Sequence, residues 1–136
     1  MSLLEVCLVI EESREDMVPP IRMGLIGLNN QGQEHLQASP EKPEYEFVAI
    51  CDANPAVLKT VSAKYPGLRA HSNHRDLVND PNVDALVLAL PHQVYPLVWA
   101  DVIAKGHPIL KEKPLGRHLS EAQQLFSQAR KRGAPL

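Results

Sequence analysis

Short apolar runs alternate with helix-like segments through most of the chain, and this alternation limits the fold more than any other feature. The runs are IRMGLIG, EFVAICD, DALVLALP and HPILKEKP, with a weaker one at LRAHS. Strands that are apolar almost throughout, instead of at every second residue, are typical of a sheet covered on both faces. The sequence therefore predicts a doubly wound α/β fold with three layers, a mostly parallel sheet and right-handed crossovers.

One domain boundary is predicted, after the charged segment EESREDMVPP. Two adjacent prolines end regular structure there, so we expect an N-terminal extension and linker over residues 1–20 and one domain over residues 21–136. The 136 residues suffice for a single core but are few for a two-domain enzyme. Within the extension, the segment LLEVCLVI either pairs with a free sheet edge or stays a disordered tail.

Helical spacing predicts helices over 31–38, 55–64, 74–80, 95–105 and 120–132. Residue types that favour helix ends lie at the expected places. These residues are Asn54 before Pro55, Ser120 with Glu121, and the glycines Gly106 and Gly133.

Composition argues against several classes of partner. A formal net charge of −2 offers no basic surface for nucleic acid. No run reaches the ~20 apolar residues of a membrane helix, and a signal peptide is not expected either. Cys7 and Cys51 lie far apart in no metal-ligand spacing, so we expect core residues and a cytoplasmic protein without a metal site.

The loop Gly27-Leu28-Asn29-Asn30-Gln31-Gly32 is similar to the G-x-G-x-x-G fingerprint of a dinucleotide-binding Rossmann domain. Gly27 fills the place of the tight turn, and Gly32 the place where helix and strand pack closely. Asn29 replaces the middle glycine. Asparagine tolerates left-handed dihedral angles, so the loop can keep its shape, although the side chain enters the space of the diphosphate.

Asp52 ends the second apolar run, about 25 residues after the loop begins. A carboxylate there can accept hydrogen bonds from the ribose hydroxyls and would repel a ribose phosphate, so it favours NAD over NADP. The alternative is that Gly27 and Gly32 only permit a close turn and that Asp52 only caps the next helix.

The motif Glu112-Lys113-Pro114 follows the fifth run, at the sheet edge where open α/β folds bind ligands. Alone, it could equally be a solvated charge cluster. The motif comes after three other segments, GLIGLNNQGQEH with His35, VAICDANP and LALP. In this order of segments, the sequence resembles the N-terminal domain of the glucose-fructose oxidoreductase/inositol dehydrogenase (Gfo/Idh/MocA) family. The resemblance covers about residues 21–136.

The resemblance implies an NAD- or NADP-dependent oxidoreductase that transfers a hydride to or from sugars, inositols or related polyols. It also implies a cis bond between Lys113 and Pro114, with Lys113 as a catalytic residue. The cofactor-binding residues that it implies are Gly27, Asn29, Asn30, Gln31 and Gly32 at the diphosphate, Asp52 at the ribose, Pro91 and His92 beside the nicotinamide, and Glu112 and Lys113 facing the reaction.

The chain departs from the family pattern at three places. Asn29 replaces a glycine, Tyr95 stands where the family usually has a histidine, and the sequence ends where the family's second sheet domain would begin. We therefore expect a cofactor domain that is incomplete as a catalyst and meets a sugar or polyol only with a second domain. The alternative is a catalytically inactive nucleotide-binding or regulatory module that self-associates as a homo-oligomer.

Overall fold

The fold is a five-stranded sheet in which every pair of neighbouring strands is parallel. A computed structural model describes residues 2, 3, 5 and 18–136, so the predictions for most of LLEVCLVI and for Cys7 lie outside the described residues. The strand order β3-β2-β1-β4-β5 reverses direction at β1, as in a doubly wound fold. The predicted fold class is confirmed. The strands are β1 Ile21–Ile26, β2 Tyr45–Cys51, β3 Arg69–His71, β4 Ala85–Leu88 and β5 Ile109–Lys111.

Helices connect the strands close to the predicted positions. They are α1 Asn30–Ala38, α2 Pro55–Lys64, α3 His74–Val78, α4 Tyr95–Ile103 and α5 Leu119–Lys131, with short 3-10 turns at Ser39–Glu41 and His92–Val94. None of the helices in the described part of the chain is long and apolar enough to cross a membrane.

The sheet carries an apolar cluster on each face. Successive residues of a strand point to opposite sides, so Leu25 and Val87 pack with α1 and α2, whereas Ile26 and Leu88 pack with α3, α4 and α5. Trp99 is buried in the second cluster, and its Nε1 donates to the carbonyl of Leu125 in α5 at 2.9 Å. Coverage of both faces gives the three predicted layers.

Most of the predicted capping residues are confirmed and one is corrected, while several helix bounds differ from the prediction by one or two residues. Asn54 Oδ1 accepts the N–H groups of the first turn of α2, and Gly106 and Gly133 have the positive φ values of 70° and 68°. The last helix begins one residue earlier than predicted. Its cap is His118, whose Nδ1 accepts from the Glu121 N–H at 3.3 Å, so Ser120 lies inside the first turn. Since histidine is not a preferred cap, the sequence pattern pointed to the nearby serine.

Candidate cofactor site

Only glycine fits at two positions of the fingerprint, Gly27 in the loop after β1 and Gly32 in the first turn of α1. Gly27 has a φ of 98°, and a Cβ there would overlap the carbonyl oxygen of Ala89. A Cβ on Gly32 would overlap the carbonyl oxygen of Gly27. Both glycines of the fingerprint are therefore required by backbone that approaches too closely for a side chain.

Asn29 keeps the loop in shape for a different reason from the predicted one. Its backbone is extended, with φ −68° and ψ −178°, so this position needs no left-handed conformation. Its side chain caps α1, because Oδ1 accepts the Gly32 N–H at 2.9 Å. The asparagine thus uses one of the amides at the N-terminus of α1, where helices commonly bind anions, while the amides of Asn30 and Gln31 lie in the same first turn.

Asp52 joins the end of β2 to the glycine loop. Its Oδ2 accepts from the Leu28 N–H at 2.9 Å and its Oδ1 from the Asn54 N–H at 2.8 Å. The cap of α2 is Asn54, so the alternative role of Asp52 as that cap is wrong. Each carboxylate oxygen has a second lone pair, and the half-exposed side chain retains capacity for a hydroxyl donor.

A cavity of about 380 Å³ opens at the carboxyl ends of β1, β2 and β4, which is where a doubly wound sheet binds its ligands. Four predicted site residues line it: Gly27, Asn29, Asp52 and Pro91. The other predicted residues lie outside this cavity; they are Asn30, Gln31, Gly32, His92, Glu112 and Lys113. Sequence reasoning missed several further lining residues, among them the polar Ser72 and His74.

The Glu112-Lys113-Pro114 turn lies at the end of β5. Glu112 Oε1 is 2.6 Å from His35 Nε2, so the turn is tied to α1 and through it to the glycine loop. The Lys113 side chain is exposed. The bond between Lys113 and Pro114 is cis, which confirms the prediction. His92 is exposed at the start of a 3-10 turn and does not line the cavity.

Tyr95 lies beneath the site and does not face the cavity. It is 2% exposed, its hydroxyl donates to the Leu88 carbonyl and accepts from the Leu90 N–H, both at 3.2 Å, and burial raises the pKa of Tyr95. The face of its ring holds the Lys111 ammonium, 3.8 Å from the ring centroid. Sequence reasoning missed Lys111. The sequence did contain a sign that Lys111 is buried. It comes two residues after the buried Ile109, and alternate residues of a strand lie on the same face, so both side chains are on one face of β5.

Comparison with known proteins agrees with this geometry. The family model described as an oxidoreductase family with an NAD-binding Rossmann fold, GFO_IDH_MocA, matches residues 21–136. The chain belongs to the Gfo/Idh/MocA family. Its residues 21–136 are an NAD(P)-binding Rossmann domain of that oxidoreductase family, as the resemblance implied, and the alternative of an inactive module is not favoured.

The chain matches only about a third of the length of each of two curated relatives. The chain is 31% identical to the rhizopine catabolism protein MocA of Rhizobium meliloti over 103 residues, covering 76% of the chain and 32% of the relative. It is 34% identical to an inositol 2-dehydrogenase of Acidothermus cellulolyticus over 99 residues, covering 70% and 28%.

A similar solved structure is also about three times as long as the matching part of this chain. The WlbA dehydrogenase from Bordetella pertussis, in complex with NADH and UDP-GlcNAcA, superimposes with a TM-score of 0.76 at 30% identity, over 85% of this chain and 35% of that one. The chain therefore spans about a third of the length of the relatives that it matches.

Proposed function

We propose that this chain is the cofactor domain of a dehydrogenase that transfers a hydride between NAD and a sugar, inositol or related polyol. The observation that carries the proposal is the meeting of the glycine loop and Asp52 at one cavity, at the carboxyl edge of a parallel sheet. The inositol 2-dehydrogenase relative and the WlbA complex with a nucleotide sugar support the substrate class. Because the chain spans about a third of the length of these relatives, we propose that the substrate pocket also involves the part of such proteins that this chain does not match.

The glycine loop fits a diphosphate. Gly27 and Gly32 keep Cβ atoms out of a backbone turn that opens onto the N-terminus of α1, where the partial positive charge of a helix favours an anion. The amides of Asn30 and Gln31 are the donors that we assign to the phosphate oxygens. The apolar wall of the cavity, which includes Val57, suits an adenine ring.

Asp52 is the basis for proposing NAD in place of NADP. Its carboxylate has accepting lone pairs for ribose hydroxyls, and it would lie beside the extra phosphate of NADP. The negative charges of the carboxylate and of this phosphate would repel each other, so NADP binding would be disfavoured. Among similar solved structures, WlbA is in complex with NADH and KijD10 from Actinomadura kijaniata with NADP, so the preference that we propose rests on this single carboxylate.

We assign the reaction side to the turn after β5. When bound, a nicotinamide supplies the hydride acceptor or donor. In the reducing direction, the exposed Lys113 ammonium would hydrogen-bond the substrate carbonyl oxygen and supply the proton of the new hydroxyl group; in the oxidising direction, its neutral amine would accept that proton. Glu112, fixed by His35, orients the turn. Pro91 and His92 follow β4, the neighbouring strand, and we place them on the same side.

The test is a calorimetric titration with NADH and NADPH of the chain and its Asp52→Asn variant. We expect tighter binding of NADH, and we expect Asp52→Asn to shift the ratio of the two dissociation constants by about tenfold toward NADPH, because it removes the charge. Glu44→Ala is the control. Glu44 is an exposed acidic residue just before β2, at the amino ends of the strands, whereas the cavity lies at their carboxyl ends. A ratio that does not change refutes the role of Asp52, and absence of any dinucleotide binding refutes the function.

Three earlier expectations stay predictions. Self-association is tested by light scattering, where a mass of about twice 15.1 kDa would support a dimer. The cytoplasmic location and the boundary near residue 21 are tested by fractionation of cells and by limited proteolysis.

A further inference from the structure

Lys111 is a buried cation in the strand that leads into the reaction-side turn. It is 8% exposed, whereas Lys113, two residues later, is exposed. Lysine is almost never buried without compensating contacts, because an ammonium loses its hydration. The position of Lys111 therefore indicates a set of contacts that holds the charge in place.

These contacts lie on the turn itself. Lys111 Nζ donates to the Pro114 carbonyl at 2.8 Å and is 3.5 Å from the Glu112 carbonyl. The ring of Tyr95 completes the set, with its centroid 3.8 Å from Nζ. A cation over an aromatic face is attracted more strongly when both are shielded from water. One ammonium thus fixes the backbone of Glu112-Lys113-Pro114 from below.

Tyr95 extends the connection to the neighbouring strand. Its hydroxyl donates to the Leu88 carbonyl and accepts the Leu90 N–H, so it holds the chain that leaves β4 toward Pro91. The Glu112 N–H also donates to the Leu88 carbonyl, at 3.0 Å. The two loops that we assign to the nicotinamide side therefore share one buried support.

We propose that Lys111 and Tyr95 form a clamp that positions the Glu112–Pro114 turn against the nicotinamide half of the dinucleotide. This inference rests on the proposed function. Both are positioning residues, since they act through the turn and through Pro91 and do not face the cavity. The hydrogen bonds of Lys111 and Tyr95 go to the turn and to the end of β4, and none goes to Asp52 or the glycine loop. The turn reaches the glycine loop only indirectly, through Glu112, His35 and α1, so we expect the adenosine and diphosphate half to be affected less.

The experiment compares NADH with ADP-ribose, which has the same diphosphate and adenosine but no nicotinamide. Dissociation constants are measured by calorimetry for the chain and for Lys111→Met, which keeps an unbranched side chain of similar length and removes the charge. We expect Lys111→Met to weaken NADH binding by about tenfold and to change ADP-ribose binding by less than about twofold. Lys105→Met, at an exposed lysine after α4, is the control and should change neither.

Each outcome decides between the two proposals. If the wild-type chain binds both ligands and Lys111→Met weakens both equally or neither, the clamp is refuted and the proposed function stands. If the wild-type chain binds neither ligand, the proposed function is refuted and the clamp with it.

Circular dichroism shows whether Lys111→Met folds. If it does not, Tyr95→Phe replaces it, because it keeps the ring and loses only the hydroxyl contacts; a preferential loss of NADH binding of about threefold is expected, and an equal loss of both ligands overturns the clamp.

Discussion

Replacing Asn29 by glycine should strengthen the binding of a dinucleotide. The Asn29 Oδ1 accepts the Gly32 N–H at 2.9 Å, so this amide is already used within the chain. A phosphate oxygen that binds the N-terminus of α1 must displace the asparagine or do without that donor. Glycine at position 29 restores the usual fingerprint and frees the amide, and the backbone needs no change because Asn29 is already extended.

The size of the effect follows from the difference between two hydrogen bonds. A bond from an amide to a charged acceptor contributes about 1.5–3 kcal/mol, and one to a neutral acceptor about 1 kcal/mol. The difference of about 1 kcal/mol corresponds to an affinity about fivefold higher. The helix loses little, since exchange of an asparagine cap for glycine costs only a few tenths of a kcal/mol, or about 1 °C in melting temperature.

Calorimetric titration at one ionic strength measures this change. We expect Asn29→Gly to tighten NADH and ADP-ribose equally, because both have the diphosphate. Asn73→Gly is the matched control: Asn73 caps α3 through Oδ1, which accepts the Arg75 N–H at 2.9 Å, and it does not line the cavity. Equal or weaker binding by Asn29→Gly would show that the asparagine does not compete with the ligand, and our account of the loop would be wrong.

Three further changes test the fold around the site. Gly32→Ala puts a Cβ against the Gly27 carbonyl, so we expect a lower melting temperature and loss of dinucleotide binding; retained binding in titration would contradict this. Hydrogen bonds from Arg117 lower the pKa of Glu121 to about 2, so this pair stabilises the fold above pH of about 4.3 and the stabilisation is lost as pH falls toward 2. Glu121→Gln should therefore melt below wild type at pH 7 and converge with it at low pH, whereas a constant difference would refute the pair. Trp99→Phe removes the indole donor to the Leu125 carbonyl and part of a fully buried side chain, so it should lower the free energy of unfolding, measured in urea, by about 1–3 kcal/mol; a loss under about 0.5 kcal/mol would contradict it.

The sequence was sufficient for the sheet, the layers and the position of the glycine loop, since these follow from local periodicity and from turn residues. It was not sufficient for contacts between distant segments. The bond from the Leu28 N–H to Asp52 joins the loops that follow β1 and β2, and its existence depends on the register of these two strands. The same holds for Lys111 over Tyr95, because one residue is in a strand and the other in a helix. The dihedral angles of Asn29 were predicted wrongly because the fingerprint gives residue types and no backbone conformation.

The two departures from the family pattern that fall among the described residues are both engaged by contacts inside the chain. Asn29 caps α1, and Tyr95 supports Lys111 and the loop after β4. The Asn29 Oδ1 and the Tyr95 hydroxyl therefore both have hydrogen-bond partners within the chain. In the proposed binding mode, Asn29 would act on the diphosphate, which is the central part of the ligand, and Tyr95 on the nicotinamide at one end. Titrations with NADH and ADP-ribose separate the two halves, because a change in the cap alters both affinities and a change in the clamp alters only one.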